Sequence, residues 1–461
     1  MKPSLPTAST LLLLTAISAV YGQESSLPVA SAAAGLALGA TAAVGDQAPS
    51  SSKSFIRLEG TDLHLGSLPP ITFHGFGSQG FIATSDYTYL ARKTTSPSGS
   101  FDLSHGSAEF AEFGVNASVS PFNRTRIAAQ GFAYDVGNVG NYSPMLDYAL
   151  VEYTVTDWLG LRGGRIRRPG GIYNHIQDVD VARTFVMLPQ GMYDARWRDF
   201  STSVDGGELF GNISLGKAGS LSYEAFVGLS NFSADGGVAH WIMNGTAPGS
   251  TFDTWEQPLY VGGQLWYNTP VNGLRAGAYV GHMDGLGFDI TIPQGGPVVS
   301  RAHSAGDVSL QQYSMEYQWK AWTFQAEYFT YLYDFRQDVN TYMGTMLLPP
   351  PFSSSGPGRT EPDSWYASAA YRVNKWLEVG AYYTEFYENV HNRNGVGNGT
   401  PSDANQKDVA VALRFDPKPW WTIKLEGHHL NGTALLQNDA ANPVRDDRAW
   451  WMLAVKTTIS F

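Results

Sequence analysis

The sequence predicts an all-β fold: a closed antiparallel transmembrane β-barrel of about sixteen strands, with its third long loop folded inward. Four observations predict it. From Ile71 onward, segments of about ten residues alternate apolar with small or polar side chains, which is the period of a strand. The connections alternate just as regularly between short turns and long loops. Tryptophans gather beside the short turns, and the chain ends on an alternating strand with a terminal phenylalanine.

Composition narrows the classes that remain. The chain has 461 residues, no cysteine and a formal net charge of −11, with only 15% charged residues. No disulfide frame, thiolate metal site or cysteine nucleophile is available, and the acidic balance argues against a nucleic-acid partner. A mean hydropathy of −0.19, with no long apolar run past the N-terminus, excludes a helical membrane protein. It is compatible with barrel strands, whose alternation averages to neutral.

In chain order, residues 1–22 read as a secretory signal. Lys2 supplies the positive end, Leu11–Val20 the short apolar core, and Val20-Tyr21-Gly22 the small-residue cleavage site. Its removal leaves 29 basic residues against 41 acidic ones. Residues 23–70 form an Ala/Gly/Ser-rich linker and N-terminal segment. The linker is expected to be flexible, although Ala and Leu also favour a short helix. The barrel is assigned to residues 71–461.

The strand pattern is explicit in four places. Phe113, Val115, Ala117 and Val119 alternate with Glu112, Asn116 and Ser118, and Leu221, Tyr223, Ala225 and Val227 with Ser222, Glu224 and Phe226. Tyr313, Met315, Tyr317 and Trp319 alternate with Gln312, Ser314, Glu316 and Gln318. Val409, Val411, Leu413 and Phe415 alternate with Asp408, Ala410, Ala412 and Arg414. Short turns fall near Ser120–Asn123, Thr156-Asp157, Gly216–Gly219, Asn268–Gly273, Lys320-Ala321, Asn374-Lys375 and Asp416–Pro419. Long loops are expected near 85–108, 136–145, 169–200, 231–257, 286–305, 335–361, 389–405 and 432–446. Fifteen connections give sixteen strands, an even number as a single-chain barrel requires. Trp158, Trp266, Trp319, Trp322, Trp376, Trp420 and Trp421 all lie beside short turns, which predicts an aromatic girdle at one rim. In the last strand Trp451, Leu453, Val455, Ile459 and Phe461 alternate with Ala454, Lys456, Thr458 and Ser460.

The third long connection departs from loop composition. Leu159–Asp199 holds Arg162, Arg165, Arg167, Arg168, Arg183, Arg196 and Arg198 and no lysine. It also holds Ile172, Ile176, Val179, Val181, Phe185, Val186, Met187 and Leu188, whereas exposed loops are usually polar. Such a segment is expected to lie inside the barrel and narrow it. Within it, Val179–Leu188 reads as a short helix, with Asp178 as N-cap and Pro189 ending it. Alternation from Leu159 and Leu161 turns Arg162 inward. The pair Gly163-Gly164 can bulge and shift the register of Arg165, Arg167 and Arg168.

From Ile71 to Phe461 the chain resembles the sixteen-stranded outer-membrane porins of Gram-negative bacteria. The strand count, turn asymmetry, tryptophan girdle and terminal Phe461 carry that resemblance. The resemblance implies a passive channel, a homotrimer, and Phe461 as the signal read by the outer-membrane assembly machinery. It also implies that the third long loop, here Pro169–Phe200, forms the constriction. Those porins often carry acidic residues on this loop; here it is arginine-rich.

Candidate constriction residues are therefore Arg162, Arg183, Arg196, Arg198, Arg165, Arg167 and Arg168, with Asp178 and Asp180. Candidate lumen-wall residues are Arg126, Arg275, Arg372, Arg414 and Lys424, with Glu112 and Glu316. Many such charges are expected to pair across strands. Arginines left over would make the constriction electropositive. The expected function is a diffusion pore for small hydrophilic solutes and ions with a mild anion preference. Its partners would be outer-membrane lipid, with no cofactor or metal. Two alternatives remain. A barrel-embedded, phospholipase-like hydrolase would need a Ser/His pair from His282, His428 or His429, and no familiar catalytic motif is present. A structural or adhesive barrel gains nothing from a charged lumen.

Overall fold

The computed structural model describes residues 56–90, 103–234, 236–243, 246–396, 402–436, 442 and 449–461. The signal peptide expected at 1–22 and the linker up to residue 55 lie outside the described residues. Ile56–Glu59 and Asp62–Leu65 pair as a hairpin that continues into the first barrel strand through Asp62↔Thr72 and Leu63↔Ile71.

Sixteen strands form the wall. They are β1 (Ile71–Thr84), β2 (Phe110–Phe122), β3 (Thr125–Val136), β4 (Met145–Thr156), β5 (Leu159–Arg167), β6 (Ser203–Ser214), β7 (Ser220–Ser230) and β8 (Leu259–Asn268). Then come β9 (Leu274–Gly295), β10 (Val298–Trp319), β11 (Trp322–Met343), β12 (Asp363–Arg372), β13 (Leu377–Tyr387), β14 (Asn405–Lys418), β15 (Trp421–Gly432) and β16 (Ala449–Ser460). Each pairs antiparallel with the next. The ring closes where β16 meets β1, from Met452↔Thr84 to Ser460↔Phe76, and Phe461 N donates to Gly75 O at 2.9 Å. No sheet edge is left along the wall, as a bilayer demands.

Alternation sorts the two faces. Phe113, Val115, Val227, Tyr313, Met315, Val409 and Val411 are exposed on the outside, while Phe226, Gln312, Glu316, Ala410 and Ala412 are buried within. Trp158, Trp319, Trp322, Trp376 and Trp420 are exposed at the short-turn rim. Trp266 is not part of that girdle. It lies on the inward face beside buried Gln264, and packs against Ile172, Tyr173, Leu188 and Tyr193.

Two of the expected loops are strands instead. Residues 286–305 belong to β9 and β10, which turn tightly at Gly295 and Gly296 (φ +96° and +55°). Residues 335–361 are largely the end of β11 and an added strand, Ser354–Thr360, that pairs with it. β9, β10 and β11 each run 22 residues, about twice the roughly 9–11 that cross a bilayer. Their far halves have a core of their own. Ile290, Ile292 and Ala302 are buried with Met243, Ala247, Phe252 and Val339 from the 231–257 connection and β11. The glycines and prolines of 286–305 mark a turn, while Phe288, Ile290 and Ile292 keep the strand period up to it.

Candidate functional site

The segment Pro169–Phe200 has little regular structure. It contains 3-10 turns at Asn174–Ile176, Asp180–Ala182 and Ala195–Trp197, then one helical turn at Arg198–Ser201. The helix expected over Val179–Leu188 is absent beyond Asp180–Ala182. Asp178 caps nothing there; its Oδ2 is bonded to Arg167 and Gln130. The backbone N–H groups of Val186 and Met187 are taken by Glu426 instead of a helical carbonyl. Gly171 sits at φ +63° with Gln312, Tyr193 and Glu327 crowded where a Cβ would stand. Only glycine fits there.

Its contacts are with inward-facing side chains all round the barrel. Against β3 and β4, Asp147 and Asp178 share Arg167 and Arg198: Arg198 reaches Asp147 at 2.7 Å and Arg167 reaches Asp178 at 2.6 Å. Gln130 donates to both carboxylates, and Arg198 stacks 3.7 Å above the Phe132 ring. Against β11, the buried Glu327 accepts from Ile172 N at 2.9 Å, Tyr193 Oη at 2.6 Å and Tyr366 Oη at 2.8 Å. Against β15 and β16, Asp180 meets Lys424 Nζ at 3.0 Å and Lys456 Nζ at 3.5 Å, and accepts from Thr458 Oγ1 at 2.8 Å. Beside them Glu426 accepts from Val186 N at 2.8 Å and Met187 N at 2.9 Å. Against β7, His175 meets Glu224 at 3.0 Å.

Burial would raise the Asp178 carboxyl, but Arg167 and Arg198 outweigh it and hold the group well below the usual carboxylate range. The same contest at Asp180 is won by Lys424, Lys456 and Arg183, and its carboxyl is also held far down. Burial, reinforced by Glu327, pushes the Tyr193 hydroxyl well above its ordinary range.

The remaining expected residues divide clearly. Arg183 bonds Asp180 at 3.4 Å and Val186 O at 2.9 Å. Arg196 pairs with Asp194, donates to Leu435 O at 3.1 Å and lies over Trp241. Arg168 lies against the Tyr260 and Tyr279 rings, donates to Ser201 O at 3.0 Å, and makes no ion pair among the described residues. Arg162 faces inward and serves three carboxylates: Glu152 at 3.0 Å, Glu208, and Glu224 at 3.6 Å. Arg165 does not belong with them. It stands opposite Asp205 on the outward face shared with Leu161 and Leu229, and pairs with Asp205 at 2.7 Å. Gly164, at φ +117°, does not flip that alternation at Arg165; past the buried Ile166 it lapses, and Arg167 turns inward to Asp147 and Asp178.

All seven wall residues stand on the inward face. Arg275 meets Glu316 at 3.1 Å, Arg372 meets Glu378 at 2.7 Å and Asp416 at 2.6 Å, and Arg414 meets Asp416 at 3.0 Å. Lys424 is bound to Asp180, and Glu112 is bound to Lys456. Arg126 has no ion pair or hydrogen bond among the described residues. It lines an open cavity of about 320 Å³ together with Tyr148, Arg162, Arg167, His175, Asp178 and Glu224.

Sequence reasoning missed Asp147. In the β3–β4 ladder Gln130 pairs with Tyr148 and Gly131 with Leu146, so Asp147 is the extra residue of a bulge. The bulge turns it inward beside Tyr148, where strict alternation would have placed only one of the two. Glu208 was missed as well, although it faces Arg162 directly in the register.

The histidines considered for hydrolysis are scattered. His282 faces outward with Nδ1 3.1 Å from Ser309 Oγ, and among the described residues no carboxylate holds its other nitrogen. His428 is buried between Asp408 and Glu426, and His429 packs on Trp451.

No family model matches the chain, and no curated protein matches it. Solved structures do. The outer-membrane protein OmpT of Vibrio cholerae is 11% identical, over 88% of this chain and 100% of its own, with a TM-score of 0.48. The outer membrane channel DcaP of Acinetobacter baumannii is 10% identical, over 86% of this chain and 98% of its own, with a TM-score of 0.49. An anion-selective porin from Comamonas acidovorans is 10% identical, over 85% of this chain and 99% of its own, with a TM-score of 0.46. The likeness is one of fold.

Proposed function

We propose that the chain is an outer-membrane channel through which small hydrophilic solutes diffuse, narrowed by Pro169–Phe200. The observation that carries this reading is a closed, apolar-coated barrel whose lumen is lined by charges and retains a polar cavity of about 320 Å³ beside the crossing segment. Residues 1–22 export the chain, and Phe461 presents the assembly signal. The working form is a homotrimer in the outer membrane.

A mild anion preference is part of the proposal. Two cations without a carboxylate partner among the described residues support it, Arg126 in the cavity and the buried Arg168. It is weak because three carboxylates share Arg162, and Glu327 is bound only by neutral donors. The other segment arginines are offset by Asp147, Asp178, Asp180 and Asp194. The test is a single-channel recording in planar bilayers across a KCl gradient. Discrete conductance steps with a small anion-directed reversal potential are expected. A protein that inserts without conducting, or one strongly cation-selective, overturns the reading.

A further inference from the structure

The cavity between Pro169–Phe200 and strands β2–β7 has two electrical poles. At the positive pole stands Arg126, which has no bound partner among the described residues. At the negative pole stands Glu224, which shares the single Arg162 guanidinium with Glu152 and Glu208 and meets His175 at 3.0 Å. Arg126 and the Arg162 cluster belong to one row across the wall. Arg126 stands opposite Glu152, Glu152 opposite Arg162, and Arg162 opposite Glu208, so a single guanidinium is shared among three carboxylates at one end while Arg126 is left over at the other.

A solute with one charge satisfies one pole and meets an excess of its own sign at the other. A solute with both a carboxylate and an ammonium satisfies both. The guanidinium fork suits a carboxylate, and carboxylates accept from an ammonium. The volume lies at the small end of ligand pockets, roughly 300–1,000 Å³, which suits an amino acid or a dipeptide. We propose that this cavity is a subsite for small zwitterions of that class, Arg126 taking the carboxylate and Glu224 the ammonium. The proposal rests on the channel reading and names its solute.

The test uses the full-length protein in planar bilayers in KCl. Alanylalanine, propionate and propylammonium are added in turn at equal concentration. Alanylalanine is expected to interrupt the current with resolvable dwell times, and the two singly charged probes are not. Arg126→Ala and Glu224→Gln are each expected to shorten the dipeptide dwell about tenfold, since losing one partner of a charge pair acts mainly on the off-rate. Equal interruptions by all three probes, or an unchanged dwell in both variants, overturn the subsite. Absence of any conductance counts against the channel reading instead. In that event, calorimetric titration of alanylalanine into the detergent-solubilised protein decides the subsite, with heat of binding expected and its absence overturning it.

Discussion

Asp180 touches Lys424, Lys456, Arg183 and Thr458, all buried, so its carboxylate neutralises Lys424 and Arg183 and shares Lys456 with Glu112. Breaking a buried ion pair from one side costs about 3–5 kcal/mol. Asp180→Asn is expected to lower barrel stability by an amount of that order, measured by chemical unfolding in detergent. The pH dependence follows from sign. The folded-state carboxyls of Asp178 and Asp180 are held below their ordinary value. Their contribution is therefore complete above the unfolded value of about 3.9, and disappears as pH falls through the depressed folded values. The stability gap between wild type and Asp180→Asn should stay constant from pH 7 to about pH 4.5 and close below that. A gap that closes between pH 7 and 5 would contradict this assignment. At the same scale, Arg126→Ala is expected to move the reversal potential toward cations by more than Arg196→Ala, whose guanidinium already has Asp194. Inward-facing charges such as Arg162 and Lys424 were legible in the sequence because strict alternation assigns them. Their pairings were not. Asp147 sits on a bulge, and the three carboxylates around Arg162 come from three different strands, set by the registers of β4 to β7.

Among elements, Pro169–Phe200 stood out because its Ile, Val, Phe, Met and Leu content conflicts with exposure to water. The structure sets Val186 and Met187 among Phe110, Tyr87 and Trp450, and Phe185 against Tyr382. Burying each such side chain is worth about 1.5–3 kcal/mol. A cysteine placed at Phe185 or Met187 should react slowly with a bulky reagent added from outside the cell, while one at the exposed Val396 should react at once. Rapid reaction at Phe185 or Met187 would show that the segment leaves its seat. Its internal conformation was not legible. A capping aspartate and a terminating proline suggested a helix, but Glu426 claims two backbone donors that a helix would need, and that residue lies some 240 positions further along the chain. The long β9–β11 strands show the opposite failure, where glycine and proline were read as loop although the flanking alternation of Phe288, Ile290 and Ile292 continued.

For the whole molecule, the even strand number, the turn asymmetry and the aromatic rim were sequence-legible because a bilayer enforces each of them separately. Which strand meets which at closure is fixed by the β16–β1 pairing, where Phe461 bonds Gly75 in both directions, Gly75 N to Phe461 O at 3.2 Å and Phe461 N to Gly75 O at 2.9 Å. Deleting Phe461 is expected to lower the yield of the heat-modifiable folded form in outer membranes, measured by mobility before and after boiling; normal yield would remove its assigned role.

The seat of Asp180 on the final strand sets the order of events during folding. Thr458 and Asp180 are 278 positions apart, and Lys456 on the same strand also approaches Asp180. A loop of that length closes late, because chain entropy opposes it until distant contacts repay it. Seating the segment on Lys456 and Thr458 is therefore expected among the last events of assembly, together with the meeting of the last strand and the first. Slow steps in assembly should belong to this sealing and tucking in, and mutations at Asp180 should lengthen them even where the finished barrel survives.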